Sequence, residues 1–359
     1  MPSTVLIPAA TAVVAALFAL ALVDQWRERR QPFQLIWTVG MSLFAIAAAC
    51  EAAAGAAGWN DVLYRIWYGT AIMTPGWLGL GTVYLLARTR FGYTVAVCLA
   101  LAGIFTLLTQ RRYDYAGAGI APVLYLIAAL ILAVAVAFET YFSSDRWPRL
   151  VALGVAGASL LAVILLATTT IAAPGYALDS RTGAPTGDLL PGSIRLLAPF
   201  LNITGAFALV LGAVFSTYVF MPKRRFLGYS LDPSQPGDQF LFNIFIAPVA
   251  IVVNLIASLP GTARALVAGR IHSRVPSTIL IAIGAFIPIV TDTLNRFGST
   301  QFYQLGKLVS VVLLFAGFLV SVEVFREIRV PFTSIRLVSG RVERPAAPDG
   351  PGTPGATAS

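Results

Sequence analysis

The stretch that decides the fold is residues 62–87, which read V-L-Y-R-I-W-Y-G-T-A-I-M-T-P-G-W-L-G-L-G-T-V-Y-L-L-A. It carries one charge, Arg65, near its start, and it exceeds the roughly 20 residues that a helix needs to cross a bilayer. Pro75 and Gly76 lie near its middle, where proline removes a backbone N–H and predicts a kink. Its four glycines permit close approach of other helices. We therefore expect a central helix around which the others pack.

The composition is that of a membrane protein. Of the 359 residues, 57% are hydrophobic and only 11% are charged, whereas soluble domains carry about 25% charged residues. The net charge of +9 does not indicate nucleic-acid binding, because the arginines lie between apolar runs, as in cytoplasmic loops. The single histidine excludes a histidine-rich metal site, and Cys50 and Cys98 lie within apolar runs as packing residues. We expect no metal and no cofactor.

Apolar runs along the chain predict an all-α, polytopic membrane protein with nine transmembrane helices and one re-entrant or interfacial apolar helix. The nine runs are residues 4–23, 33–57, 62–87, 93–110, 121–142, 150–173, 194–220, 277–295 and 303–325. The tenth run, 240–258, is set apart because Asn243, Pro248 and Asn254 interrupt it.

The distribution of positive charge favours this topology. With the N-terminus outside, the C-terminus cytoplasmic and residues 240–258 not spanning, lysine and arginine concentrate on the cytoplasmic side. If residues 240–258 spanned, the two sides would carry nearly equal numbers of positive charges. The sequence therefore predicts nine spans.

Four parts follow from this topology. Residues 1–220 form a seven-helix bundle, 221–276 a basic cytoplasmic or interfacial excursion, 277–325 a two-helix hairpin, and 326–359 a basic and then disordered tail. The excursion places an apolar segment between arginines, which suits a membrane surface with anionic lipids. A plain interfacial anchor and a re-entrant loop that lines a pathway are both compatible with it.

Six charged residues are the candidate functional residues, because charge inside a membrane is costly and often functional. The topology places them at similar depth in the outer half: Glu51, Arg65, Arg195, Asp292, Arg296 and Lys307. Short connections join the second helix to the third and the eighth to the ninth. We therefore expect Glu51 to pair with Arg65, and Asp292 to stand in the same relation to Lys307.

Two interpretations of this cluster are open. The charges form helix-to-helix ion pairs that fix packing, or they form a polar vestibule, open to the outside and leading toward Pro75, that binds a small polar or zwitterionic ligand. The first favours a non-enzymatic sensor or scaffold subunit, and the second favours small-molecule transport or ligand binding. An enzyme is not expected, because the sequence has no Gly-rich phosphate loop and no Ser/His or Cys/His nucleophile pair.

Three stretches carry a resemblance to a known group. They are residues 77–86, W-L-G-L-G-T-V-Y-L-L; residues 280–288, L-I-A-I-G-A-F-I-P; and residues 305–319, L-G-K-L-V-S-V-V-L-L-F-A-G-F-L. Together they resemble a group of multi-pass bacterial membrane proteins that have no assigned function. The resemblance covers most of the membrane region and implies a bacterial inner-membrane location. It also implies that residues 226–276 are an addition present in only some members.

Overall fold

The computed structural model describes residues 3–110, 119–142, 146–171, 190, 194, 197–229, 237–268, 271–272, 274–296, 302–320, 327–329 and 336–338. For residues 237–245, 248 and 292–296 it describes the helical backbone. The regular secondary structure of this part of the chain is helical apart from one short antiparallel ladder between β1 (Glu327–Arg329) and β2 (Arg336–Val338). The predicted disordered region after residue 345 lies outside the described residues.

Ten α-helices make up the described fold. They are α1 (Ser3–Arg29), α2 (Pro32–Ala57), α3 (Asp61–Leu85), α4 (Gly92–Gln110), α5 (Ala121–Phe142), α6 (Arg146–Thr168), α7 (Thr204–Phe220), α8 (Gly237–Val267), α9 (Arg274–Arg296) and α10 (Tyr303–Val320). A 3₁₀ turn, Ala87–Thr89, follows α3, and a π-helical segment, Pro199–Ile203, leads directly into α7. Each of the ten predicted apolar runs overlaps one of these helices, which confirms the all-α prediction.

Nine of the helices in the described chain are long and apolar enough to cross a membrane, and α3 is the exception. The predicted number is confirmed, but its membership differs, because the sequence interpretation counted α3 and set α8 apart. The 25 residues of α3 are long enough to span. Its glycines, threonines and aromatic residues lower its hydropathy. A helix that is surrounded by other helices does not need an apolar exterior, and thirteen residues of α3 are buried.

Local sequence signals account for the course of α3. The Asn60 side chain accepts a hydrogen bond of 2.9 Å from the Leu63 N–H and so caps the helix, and Asp61 places a negative charge in its first turn. The helix continues on both sides of Pro75, which confirms that this proline lies inside a helix. Because Pro75 has no N–H, the carbonyl of Ala71 lacks its usual partner.

Apart from α8, the helices alternate in direction along the chain, so the bundle has two ends. The end that holds the α1–α2 turn, the turn after α3, the segment 221–229 and the start of α9 is here called the basic end. Its described cations are Arg27, Arg29, Arg30, Arg88, Arg90, Arg146, Arg149, Lys223, Arg224, Arg225 and Arg274. The opposite end holds the α2–α3 turn at Trp59 and the start of α10, and is here called the Trp59 end.

Helix α3 lies at the centre because its glycines admit neighbouring backbones. A Cβ atom on Gly79 would lie 2.6 Å from the Gly205 carbonyl oxygen of α7, and one on Gly205 would lie 2.3 Å from the Pro75 carbonyl oxygen. On another side of α3, a Cβ atom on Gly81 would overlap the Trp37 ring of α2. Small residues allow such contacts in lipid, where packing rather than hydrophobic exclusion holds helices together.

The C-terminal hairpin of α9 and α10 returns to the start of the chain. Phe18 of α1 stacks on Phe315 at 4.9 Å between ring centroids, and Phe318 contacts both Phe18 and Trp37, at 5.0 Å and 4.4 Å. These rings belong to the largest apolar cluster among the described residues. The hairpin is therefore packed against α1 and α2, which brings residues far apart in sequence to the same level of the bundle.

The contact between α3 and α7 predicts a position-specific cost for one added methyl group. Gly205→Ala should destabilise the fold by about 1–3 kcal/mol, because the new Cβ overlaps the Pro75 backbone, which cannot move aside. The matched control is Gly157→Ala in α6, where nothing lies within 4 Å and alanine favours the helix. Thermal unfolding in detergent measures both variants. Equal midpoints for the two would contradict the close α3–α7 contact.

Candidate functional site

A carboxylate, an ammonium and an indole meet near the Trp59 end. Glu51 Oε2 forms an ion pair with Lys307 Nζ of α10, and Glu51 Oε1 accepts a 2.8 Å hydrogen bond from Trp67 Nε1 of α3. The Glu51 side chain is 9% exposed and the Lys307 side chain 13%. The ammonium also lies 4.4 Å from the centre of the Tyr303 ring, as a cation–π contact. This cluster, here called the Glu51 cluster, joins α2, α3 and α10.

Aromatic rings surround the indole. The Trp67 ring contacts Trp59 at 5.3 Å and Tyr64 at 5.9 Å between centroids. Tyr64 is fully buried. The Glu51 and Lys307 side chains are themselves little exposed, and a less polar environment strengthens both the ion pair and the indole hydrogen bond. The carboxylate is therefore fixed in position by two different donors.

The predicted pair between Glu51 and Arg65 is wrong. Arg65 Nε lies 2.9 Å from Asp61 Oδ2, one turn earlier in α3, and Arg65 also donates to the carbonyl oxygens of Leu166 and Thr169, the latter at 2.7 Å. Those carbonyls lie at the C-terminus of α6, where the helix dipole attracts a cation. Arg65 thus caps a neighbouring helix, and Lys307 takes the place beside Glu51.

The side chains of the other three predicted site residues, Arg195, Asp292 and Arg296, lie outside the described part of the structure. The helices that would carry the predicted relation between Asp292 and Lys307 do meet at this level, since a Cβ atom on Gly306 would lie 2.5 Å from the Thr291 side chain. That relation itself stays a prediction.

A cavity opens toward the basic end, on the far side of the bundle from the Glu51 cluster. It measures about 40 Å³, which holds a few water molecules, since each needs about 10–15 Å³. Helices α2, α3, α7, α9 and α10 line it with these residues: Trp37, Thr82, Leu85, Leu86, Leu209, Gly212, Ala213, Ser216, Arg274, Ser277, Thr278, Ile281 and Phe318. None of these lining residues is acidic.

The polar side chains of this cavity differ in how they are satisfied. Ser277 donates a 2.6 Å hydrogen bond to the Gly317 carbonyl, and Thr217 donates to Thr278 at 2.8 Å. The Ser216 hydroxyl, 4% exposed, has no hydrogen-bond partner among the described residues. The Arg274 guanidinium stacks 4.4 Å from the centre of the Phe220 ring. The cavity therefore offers one cation and one available hydroxyl in an otherwise apolar wall.

Between the Glu51 cluster and the cavity lies the crossing of α3 and α7. The Thr204 N–H bonds to the Pro199 carbonyl, five residues back, so the helix entering α7 is locally widened. Gly76 faces this segment, and a Cβ atom there would lie 3.1 Å from the Leu201 carbonyl oxygen. Two irregular helices thus touch through their backbones at the level that separates the two polar regions.

Sequence reasoning missed several of these residues. Trp67 is absent from the predicted site, although it follows Glu51 by 16 residues across a short turn. Arg274 falls within the predicted excursion 221–276, yet it begins α9 and lines the cavity. Ser216 carries no signal in sequence, because an isolated serine inside an apolar helix usually bonds its own backbone.

Comparison with protein families, with characterised proteins and with solved structures gives no match. The fold and its apolar helices define the chain as a multi-pass α-helical membrane protein. The resemblance to the bacterial group of unassigned function stays a prediction.

The Glu51–Lys307 contact predicts non-additive effects on stability. Glu51→Gln and Lys307→Met should each destabilise the fold by about 3 kcal/mol, since each leaves an uncompensated, largely enclosed charge. The double variant removes both charges and should be less destabilised than either single variant. Thermal unfolding in detergent measures this cycle.

The control for this cycle is Asp61→Asn. It removes the partner of Arg65 at an exposed position, where ion pairs contribute about 0–1 kcal/mol. It should therefore change stability little. Additive losses in the Glu51–Lys307 double variant would show that the two side chains do not interact.

Proposed function

We propose that this chain is a small-molecule transport or ligand-binding protein of the bacterial inner membrane. The observation that carries the proposal is the α3–α7 crossing. It separates the Glu51 cluster at one end of the bundle from the cavity at the other. Irregular helices that meet between two polar regions are the arrangement by which carriers bind a solute and change its access from one side to the other.

The crossing has the features of a movable contact. Pro75 and the π-helical segment each leave backbone carbonyls without their usual helical partners, so both helices can bend there with a small loss of hydrogen bonding. Gly76, Gly79 and Gly205 present backbone to backbone, without side chains that interlock. A change in bend of either helix would open one polar region as it closes the other.

The chemistry of the Glu51 cluster favours a zwitterionic ligand. In the structure the two charges neutralise each other. A zwitterion can replace that pair with two pairs, its cation on Glu51 and its anion on Lys307, and leaves no uncompensated charge in the low-dielectric site. A ligand with a single charge would leave either the carboxylate or the ammonium without its partner.

The distribution of charge supports an orientation with the basic end in the cytoplasm. The described cations are concentrated there, as the positive-inside rule requires for cytoplasmic connections. The N-terminus, the α2–α3 turn and the Glu51 cluster then face outward. The ligand would enter from the outside and leave through the cavity beside Arg274.

A second candidate function is that of a non-enzymatic sensor or scaffold subunit. The observation that favours it is that Glu51, Lys307 and Arg65 all have partners within the protein. Charges that only hold helices together would have this geometry and would bind no solute. The two candidate functions predict different ligand binding by a variant that lacks the charges of both Glu51 and Lys307.

The test compares ligand retention by the wild type and by Glu51→Gln/Lys307→Met. The probes are zwitterionic amino acids. Each is compared with two single-charge compounds of the same carbon skeleton, one an amine and the other a carboxylate. Transport or binding predicts that a zwitterion raises the unfolding temperature of the wild type and is retained in native mass spectrometry, while the matching single-charge compounds have little effect. The folded double variant should lose this response, and Asp61→Asn should keep it.

Two outcomes would overturn this proposal. A zwitterion retained equally by the double variant would place the binding site elsewhere. No retained probe, together with a stable double variant, would favour the scaffold function. Uptake of the retained zwitterion into proteoliposomes then separates transport from binding alone.

A further inference from the structure

Helix α8 has its polar side chains inside and its apolar side chains outside. Asn254, Ser258 and Thr262 are spaced by four residues on one face, and they are 0%, 1% and 4% exposed. Large apolar side chains occupy the other face and are more than one-third exposed: Val249, Val252, Val253, Ile256, Leu259, Leu266 and Val267. In water this arrangement would be unfavourable, so the outer face requires an apolar surrounding.

The buried polar face of α8 holds the segment that follows α7. Asn254 Oδ1 accepts hydrogen bonds from the backbone N–H groups of Phe226 and Leu227, at 2.7 Å and 3.0 Å. Asn254 Nδ2 donates to the Leu227 carbonyl at 2.9 Å. Ser258 Oγ accepts from the Arg224 N–H at 2.8 Å. These bonds fix residues 224–227 against the middle of α8, and we call this unit the basic clasp.

The contacts of α8 place its middle at the ends of other helices. Ile251 and Leu255 pack with Met221, which follows α7, and with Val275, in the first turn of α9. Within the described chain, α8 runs alongside no other helix. A spanning helix beside α7 or α9 would contact it over several turns. The contacts therefore indicate a helix that crosses the basic end of the bundle.

The basic clasp presents cations next to apolar side chains. Lys223, Arg224 and Arg225 are exposed, and so are Phe226, at 68%, and Leu227, at 40%. Arg264 adds a further exposed cation in the last turns of α8. No acidic residue occurs within residues 221–229 or 246–268. Cations beside an apolar surface match the boundary between anionic headgroups and acyl chains.

We propose that α8 lies in the membrane surface at the basic end, with its apolar face in the acyl-chain boundary. The basic clasp then binds the headgroups of anionic lipids. This inference is independent of the proposed transport or ligand binding, because it involves neither the Glu51 cluster nor the cavity. It gives the predicted partner of residues 221–276 a structural basis: Asn254 and Ser258 hold the backbone that displays the cations.

The depth of α8 tests the first half of the proposal. Single cysteines replace Val252, Ile256 or Leu259 in a chain that also carries Cys50→Ala and Cys98→Ala, and each is labelled with an environment-sensitive fluorophore in lipid nanodiscs. Nitroxide lipids with the quencher at different depths then locate each label. All three labels should report the same shallow depth. Val134, exposed in the middle of α5, provides the deep reference when changed to cysteine.

Two results would overturn the surface position. A change in depth of about 10 Å between positions 252 and 259 would show a spanning helix, since each residue rises by about 1.5 Å. Labels that no nitroxide quenches would show that the apolar face does not contact lipid.

Lipid retention tests the second half. The full chain is purified from mixed phosphatidylglycerol and phosphatidylcholine, and the ratio of the two retained lipids is measured by native mass spectrometry. The variant Lys223→Gln/Arg224→Gln/Arg225→Gln should lower the enrichment of phosphatidylglycerol at least tenfold, because each surface cation contributes about fivefold. The matched control, Arg27→Gln/Arg29→Gln/Arg30→Gln, removes the same charge at the same end, where Asp24 and Glu28 already offset part of it, and should lower the enrichment clearly less than the first variant does. If the enrichment of phosphatidylglycerol fell equally in both variants, or did not fall in the first, the basic clasp would not be a lipid site.

Discussion

The backbone contact between α3 and α7 is the constraint on which the rest of the structure depends. In lipid, helices gain little from hydrophobic exclusion, so they associate where small residues let their backbones approach. Gly79 and Gly205 provide that approach, and Gly81 makes room for Trp37 on another side of α3. With α3 fixed between α2 and α7, the remaining helices can carry apolar surfaces toward lipid, and α3 itself can carry the polar and aromatic residues of the site.

The charged residues with described side chains make two kinds of contact. Arg65 serves the fold, since it joins α3 to the carbonyl end of α6. Glu51 and Lys307 are 256 residues apart in sequence, and their pair connects the first hairpin to the last. A pair of this kind stabilises the bundle, and under the proposed function it provides the two charges with which a zwitterion would pair. The Glu51–Lys307 contact is therefore compatible with both candidate functions, and the variant that removes both charges distinguishes them.

Much of the fold was predictable because membrane helices are long, apolar and separated by charges. Glu51 and Lys307 were recognisable as site residues for the same reason, since charge is rare in such a chain. Their partnership was not predictable, because it depends on α10 packing along α1 and so reaching α2, a contact that no local pattern encodes. The inverted α8 carried a signal in the four-residue spacing of Asn254, Ser258 and Thr262. The sequence prediction relied instead on Asn243, Pro248 and Asn254, which interrupt the run, and only the structure shows which backbone the polar side chains hold.

The most direct test of the central claim is the sidedness of a thiol placed in the cavity. Ser216→Cys, in a chain with Cys50→Ala and Cys98→Ala, is exposed to a membrane-impermeant maleimide in sealed vesicles before and after permeabilisation. Two exposed positions calibrate the sides: Arg225→Cys at the basic end and Val62→Cys at the Trp59 end. If the crossing of α3 and α7 closes the path, the thiol at position 216 reacts from the same side as position 225. Reaction from the side of position 62 would contradict the account.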